Sequence, residues 1–276
     1  MHRAFWITRW QLIVLSLVLG PSLSLARDGA DDACPPTPVM KNSSMEEIAA
    51  ALAGVQEQIA AAAQKVSRLP EEIELVAVTK THAAEKVQAA VEGGQTLFGE
   101  SRVQEARAKI PLLPSRLHWH FIGHLQTNKI RHALPLFELF HGIDSRALAE
   151  EMQRIADETG MQPRVLLEVN LAGEASKHGF APEALRRDLE AVLSLGRLTI
   201  EGLMTIPPIA PEAEASRRYF VALRELRDEL ETEFNVRLPQ LSMGMSGDFP
   251  IAIEEGATLV RVGTAIFGER SRLKRE

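Results

Sequence analysis

The chain has 276 residues, 45% of them hydrophobic and 25% charged, which suits one large globular domain and permits two. A net charge of -6, without a basic stripe interleaved with aromatics, argues against nucleic acid as the main partner. The single cysteine, Cys34, excludes an intrachain disulfide and a cysteine-based metal site and says nothing of redox compartment.

His2, Arg3 and Arg9 precede an apolar run over 12–19, then Gly20-Pro21 and the small-residue pattern Ser24-Leu25-Ala26. That order makes 1–26 a signal-peptide-like segment, with an apolar run too short for a stable membrane span. Residues 27–44 read as a polar linker. The other reading is that translation starts at Met45, because Ser44-Met45-Glu46-Glu47 fits a capping box that opens the ordered protein there.

From Met45, the residues Ile48, Leu52, Val55, Ile59 and Val66 recur at helical spacing, which predicts an amphipathic helix ending before Pro70 and able to cover the bottom of a barrel. Strand patterns then fall at 74–79, 96–99, 118–122, 139–143, 165–170, 200–205, 240–243 and 259–262. Helical patterns lie between them at 83–92, 102–113, 126–134, 145–158, 182–195, 211–233 and 248–256. Eight strands joined by helices require parallel pairing through right-handed crossovers, and eight such units in roughly 200 residues fit a TIM barrel better than a doubly wound sheet. The expected fold is therefore α/β, a single (β/α)8 TIM barrel over 45–276 with an extra N-terminal helix; residues 263–276 are too few for a second β-domain.

In such a barrel the residues just after each strand line one mouth and hold the chemistry. They include Lys80, Glu100-Ser101, His124, Asp144, the loop carrying Lys177 and His178, Met204, Ser246-Gly247-Asp248 and Gly263-Thr264. Small residues after strands seven and eight suit a phosphate, although tight turns alone also explain each glycine. Arg261 interrupts an apolar strand near its end; it serves either a ligand or an ion pair with a carboxylate such as Glu168. Lys80, desolvated beside a phosphate pocket, has what a Schiff base to a phosphorylated carbonyl requires, whereas a lysine ending a strand is ordinarily a solvated charge. His118, His120 and His124 lie close in sequence but need not converge and have no interleaved carboxylate, so no metal is expected and core or rim packing is the default. Tyr219, the only tyrosine, falls on a helix with Leu223, Leu226 and Leu230 and reads as packing.

The stretches Ala77-Val-Thr-Lys80, Phe98-Gly-Glu100, His118-Trp-His-Phe-Ile-Gly123, Gln126-Thr-Asn-Lys129, Gly202-Leu-Met204, Leu241-Ser-Met-Gly-Met-Ser246 and Val260-Arg-Val-Gly-Thr-Ala-Ile-Phe-Gly268 together resemble the pyridoxal phosphate homeostasis protein family. Its barrel is like the N-terminal domain of alanine racemase, of fold type III. The resemblance covers about 45–270 and implies pyridoxal 5'-phosphate (PLP) as the cofactor. It implies an internal aldimine on Lys80, Arg261 facing the pyridine nitrogen, Ser246, Gly263 and Thr264 on the phosphate, and Met204 and Ser101 beside the ring. Three positions depart from the family's pattern: Ser101 where asparagine is usual, His124 where proline is usual, and His178 where serine is common.

Arg261 at the ring nitrogen only donates, which leaves the ring a poor electron sink, and a second base of the racemase kind is not in view. The resemblance accordingly implies intracellular PLP homeostasis, buffering or delivering the cofactor, with no catalytic residues and no robust turnover. PLP-dependent apo-enzymes are the implied acceptors, the state a monomer or weak dimer, and the location cytoplasmic, or exported if 1–26 is a genuine leader. The alternatives are a racemase or lyase using Lys80 as single base and a Schiff-base aldolase without PLP.

Overall fold

A computed structural model describes residues 42–174 and 176–269. The signal-like segment 1–26 and nearly all of the 27–44 linker fall outside the described residues. The first helix, α1, runs Asn42–Lys65. Ser44 thus lies inside its first turn, and the expected capping box at Ser44 does not open the helix.

The eight strands are β1 Glu74–Val78, β2 Leu97–Glu100, β3 His118–Phe121, β4 Leu139–Ile143, β5 Arg164–Glu168, β6 Thr199–Met204, β7 Gln240–Ser242 and β8 Leu259–Val262. They pair in sequence order, all parallel, and β8 closes onto β1 through Glu74 opposite Leu259 and Val76 opposite Arg261. The outer helices are α2 Ala84–Glu92, α3 Val103–Lys109, α4 Ile130–Ala133, α5 Arg146–Thr159, α6 Pro182–Leu193, α7 Arg217–Phe234 and α8 Phe249–Glu254, with a short α9 at Thr264–Phe267. The expected (β/α)8 architecture is therefore present. Three predicted helices give way to a 3-10 turn at one end: Pro111 leaves one at Ile110–Leu112 after α3, α4 follows one at Thr127–Lys129, and α7 follows one at Ala213–Ser216.

The extra helix does not cover the bottom. Its buried face, Ile48, Leu52, Val55, Ile59, Ala62 and Ala63, packs against α2, α8 and α9 on the barrel wall. The reason is geometric: α9 has four residues and cannot cover the β8–β1 seam, so α1 takes the place of the eighth barrel helix. Lys65 to Glu254 at 3.0 Å, and Arg68 Nη1 donating to the Ile253 and Ala257 carbonyls, tie its end to α8.

Alternation along each strand divides the core in two. Leu75, Ala77, Phe98, Trp119, Phe121, Phe140, Val165, Leu167, Leu203, Leu241, Val260 and Val262 face the helices. Val76, Leu139, Leu166, Met204 and Leu259 form a small interior cluster. The interior is otherwise polar, with His120, His141, Glu168, Ser242 and Arg261 all buried.

Candidate functional site at the C-terminal mouth

Lys80 follows β1 with the same strand parity as Val76, and its backbone is held firmly. Thr79 donates its N–H to the Gly99 carbonyl at 3.0 Å and its hydroxyl to Glu100 Oε1 at 2.7 Å, and its carbonyl accepts Lys109 Nζ at 2.8 Å. Lys109 also pairs with Glu100 Oε1, and both side chains are buried. On the far side, Thr81 has φ +67°, a left-handed conformation costly for a β-branched residue, and donates its N–H to Glu105 Oε2 at 2.9 Å. The lysine thus sits on a turn clamped at both neighbours.

Arg261 makes no ion pair with Glu168. Its guanidinium donates to Ser242 Oγ at 2.5 Å and to the Thr205 carbonyl at 2.9 Å. Burial pulls it down to about 10, against the pull of Glu168 and Asp248, so it stays charged at neutral pH. Arginine only donates, so Ser242 Oγ accepts from it; directing the Ser242 proton to His141 Nδ1, 2.8 Å away, is the assignment that satisfies every group. His141 then carries its proton on Nε2 and donates to His120 Nδ1 at 3.0 Å. A polar relay across β8, β7, β4 and β3 therefore holds the arginine, and it requires both imidazoles neutral. Burial does that: it lowers His141 well below its ordinary value and, with Arg164 and His118 adding repulsion, takes His120 to about 3.

A pH dependence follows. The unfolded imidazoles titrate near 6.5, so below that pH unfolding takes up protons that the folded relay refuses, and stability falls by roughly 1.4 kcal/mol per pH unit for each such histidine. Glu100 and Glu168, raised by burial, act in the opposite sense, favouring the fold as pH falls through their raised values. Denaturant midpoints measured at pH 7.5, 6 and 5 should fall less steeply for His141→Gln than for the parent chain, although the variant starts lower at pH 7.5.

Between β7 and β8, Ser246 Oγ accepts the Gly263 N–H at 3.2 Å and the Ala265 N–H at 3.3 Å. Asp248 Oδ1 accepts the Met245 N–H at 2.7 Å, which shapes the loop carrying Ser246. Gly263 lies close to β1: a Cβ there would meet the Val78 Cβ and carbonyl oxygen at 3.2 Å, a tight contact that a shift of a few tenths of an ångström would relieve. Thr264 is exposed at the head of α9, and Met204 is buried in the interior cluster opposite Ser242 in register. Lys80, Met204, Ser246, Arg261, Gly263 and Thr264 thus occupy one continuous arc through the ends of β1, β8, β7 and β6.

Ser101 follows β2, the neighbour of β1, where the register Val78 opposite Gly99 carried two residues on sets it beside Lys80. It lines a cleft of about 310 Å³ with His124, Gln126 and Lys129. A Cβ at Gly123 would lie 2.5 Å from the Ser101 carbonyl oxygen, and one at Gly142 2.6 Å from the Gly123 carbonyl oxygen, so the ends of β2, β3 and β4 meet backbone to backbone. This close approach brings His124 Nδ1 to Asp144 Oδ2 at 2.9 Å, with His178 Nδ1 at 3.4 Å from the same oxygen. The two histidine rings stack at 3.7 Å between centroids and 11° between planes. Two of the three positions at which the resemblance implies a departure are thus in contact with each other.

His118 pairs with Glu138 at 2.8 Å and His120 with His141, so they are packing and rim residues as expected, and neither converges with His124. Tyr219 departs from its expected packing role. Its neighbour Phe220 takes the buried position with Leu223, Leu226 and Leu230, and the Tyr219 hydroxyl accepts from Arg218 on the outside of α7. The sequence reading missed His141, Ser242 and Lys109. Inward parity on β4 and β7 is a signal for the first two; nothing in the sequence marks Lys109.

Among the described residues no helix is long and apolar enough to cross a membrane. The fold and the rim residues together define a (β/α)8 barrel of the alanine racemase N-terminal domain class, and the family model of that description matches residues 51–271. More narrowly, the chain belongs to the pyridoxal phosphate homeostasis protein family. It is 46% identical over 220 residues to the protein of that name from Aquifex aeolicus (strain VF5), covering 79% of this chain and 96% of the relative. The Escherichia coli (strain K12) protein of the same name is 42% identical over 240 residues, covering 84% and 100%. The structure of PipY of Synechococcus elongatus PCC7942 with PLP bound matches at TM-score 0.71 and 41% identity, over 80% of this chain and 100% of that one. Alanine racemase of Clostridium difficile 630 matches at TM-score 0.63 and 17% identity, over 80% of this chain and 57% of that one, a likeness of fold alone.

Proposed function

We infer that this chain binds pyridoxal 5'-phosphate at the barrel mouth and serves PLP homeostasis, storing the cofactor and releasing it to apo-enzymes. The observation that carries this reading is the arc of Lys80, Arg261 and the Ser246 corner, which suits an aldehyde, a pyridine nitrogen and a phosphate in turn. Ser246 Oγ already accepts the Gly263 and Ala265 N–H groups, which leaves the Ser246 hydroxyl proton to donate to one anion, with Thr264 beside it. PLP supplies an aldehyde that condenses with a lysine amine, losing one water. Lys80 is the group assigned to that bond, and Met204 packs near the ring.

The same residues favour holding over turnover. Arg261 is charged at neutral pH and hydrogen-bonded on its inner side to Ser242 and the Thr205 carbonyl, so toward a ring nitrogen it offers only a donor. That keeps the nitrogen unprotonated and weakens carbanion chemistry. The only tyrosine of the sequence stands on the outer wall beside Arg218, away from the arc. We read the compartment as cytoplasmic, where acceptor enzymes are made, and N-terminal sequencing of the native protein tests that.

The decisive measurement is the visible absorption of the protein incubated with PLP. The parent chain should show a lysine-bound cofactor band that sodium borohydride removes, and Lys80→Ala should lose the band entirely. A parent protein that stays colourless with added PLP would overturn the reading.

A further inference from the structure

We propose that His124, Asp144 and His178 form a binding site for one divalent transition-metal ion of the zinc class, on the rim at the ends of β3, β4 and β5. It uses none of the residues assigned to PLP.

The three side chains offer two imidazole nitrogens and one carboxylate oxygen, all within 4.8 Å of one another. That donor set suits zinc, cobalt, nickel or copper; magnesium and calcium prefer oxygen throughout. The spacing is close to what coordination needs. Bonds of roughly 2.0–2.2 Å in tetrahedral geometry put donor atoms about 3.3 Å apart. Here each Nδ1 stands at 2.9 or 3.4 Å from Asp144 Oδ2. To share one ion the two rings must swing out of their parallel stack so that both Nδ1 lone pairs converge, and both histidines are exposed enough to make that rotation and to admit an ion from solvent.

Two further features support the assignment. Asp144 is largely buried, and its other oxygen, Oδ1, accepts the Ser145 hydroxyl at 3.0 Å. Ser145 Oγ in turn accepts the Leu148 N–H as the cap of α5, so the carboxylate is oriented by the helix and presents Oδ2 to the imidazoles. A hydrogen-bonded outer partner of this kind is what fixes a ligating carboxylate. The second feature is charge. The buried Glu168 lies close enough for Asp144 to raise its carboxyl and for His178 to lower it, so two carboxyl groups share this side of the mouth. A single ion bound by both Nδ1 atoms and Oδ2 satisfies all three groups and leaves its remaining positions to water.

The test uses the full chain without an oligohistidine tag, stripped with a chelator that is then removed, at pH 7.5. Titration with Co²⁺ should give a visible ligand-field band saturating at one ion per chain, and Zn²⁺ should displace it and raise the melting temperature. His124→Ala and His178→Ala should each weaken binding at least about tenfold and lose the zinc-dependent rise in melting temperature. His118→Ala, an exposed histidine paired elsewhere, should bind as the parent does. Both test histidines are exposed, and melting in the absence of metal checks that the variants fold. Three results would each overturn the proposal: no saturable Co²⁺ band in the parent, unchanged affinity in both histidine variants, or a band lost in Lys80→Ala, which would place the ion on the cofactor. Retention of the band in Lys80→Ala supports the site even if the PLP reading fails.

Discussion

Gly202→Ala should prevent the barrel from closing normally, lowering the melting temperature by more than about 10 °C or leaving the protein insoluble. Gly202 lies on β6 opposite Gln240 of β7, and a Cβ there would sit 1.8 Å from the Gln240 carbonyl oxygen, 2.6 Å from its carbonyl carbon and 2.9 Å from its Cα. All three obstacles are backbone, so no rotamer change relieves them. β7 has only three residues and is held from its other side by the Thr258 hydroxyl, which accepts the Leu241 N–H at 2.9 Å. The strand must therefore part from β6, and with it go the Met204–Ser242 pairing and the two acceptors that hold Arg261. The cost should exceed about 4 kcal/mol, the exceptional range for one substitution. Gly54→Ala is the matched control. It lies within α1 with nothing within 4 Å of a built Cβ, and should stabilise the helix by up to about 1 kcal/mol. Thermal melts of the two variants against the parent measure both effects, and a Gly202→Ala protein melting with the parent would refute the close approach.

That contact shows where sequence reading stops. The eight strands are legible because each is an apolar, β-branched run closed by a turn, and the order of strands and helices leaves few topologies. The inward placement of Val76, Met204 and Arg261 follows from two-residue alternation alone. The seat of α1 does not follow. Its pattern gives an apolar face but not the surface that face meets, and only the shortness of α9 leaves the β8–β1 seam for it. The His120–His141–Ser242 relay is similarly hidden, since its members come from three strands and His141 and Ser242 are 101 positions apart. The arc proposed for the cofactor is visible in the sequence as a set of positions, because its residues lie at or just after strand ends. The His124–Asp144–His178 group is not, because it depends on Gly123 and Gly142 bringing two strand ends into backbone contact.

Lys109 is the plainest case of a residue whose pattern misleads. At the end of α3 it reads as a solvated charge complementing the helix dipole, yet it is buried and shared between the Thr79 carbonyl and Glu100. Lys109→Met should destabilise the fold by about 3–5 kcal/mol, because it leaves Glu100 buried with only the Thr79 hydroxyl as a partner. Glu100 Oε2 already lacks a hydrogen-bond partner, and burial raises its carboxyl even with the Lys109 ammonium pulling the other way. Removing the ammonium raises it further. The sign for the variant follows: a carboxyl raised above its unfolded value favours the fold at low pH and costs stability as pH rises through the folded value. The deficit of Lys109→Met should therefore be largest at pH 8 and shrink toward pH 5. Glu100→Gln combined with Lys109→Met should recover most of the loss, because the amide keeps an acceptor for Thr79 and buries no charge. Urea denaturation of the parent, both single variants and the double variant at pH 8 and pH 5 gives the coupling energy directly. PLP titration separates the second role of the pair. The double variant regains stability but not the Nζ contact to the Thr79 carbonyl, so the turn carrying Lys80 stays looser and PLP binding should remain weaker than in the parent. Parent-like stability in Lys109→Met at pH 8 would mean that the pair carries no buried charge and that Thr79 is held by its strand hydrogen bonds alone.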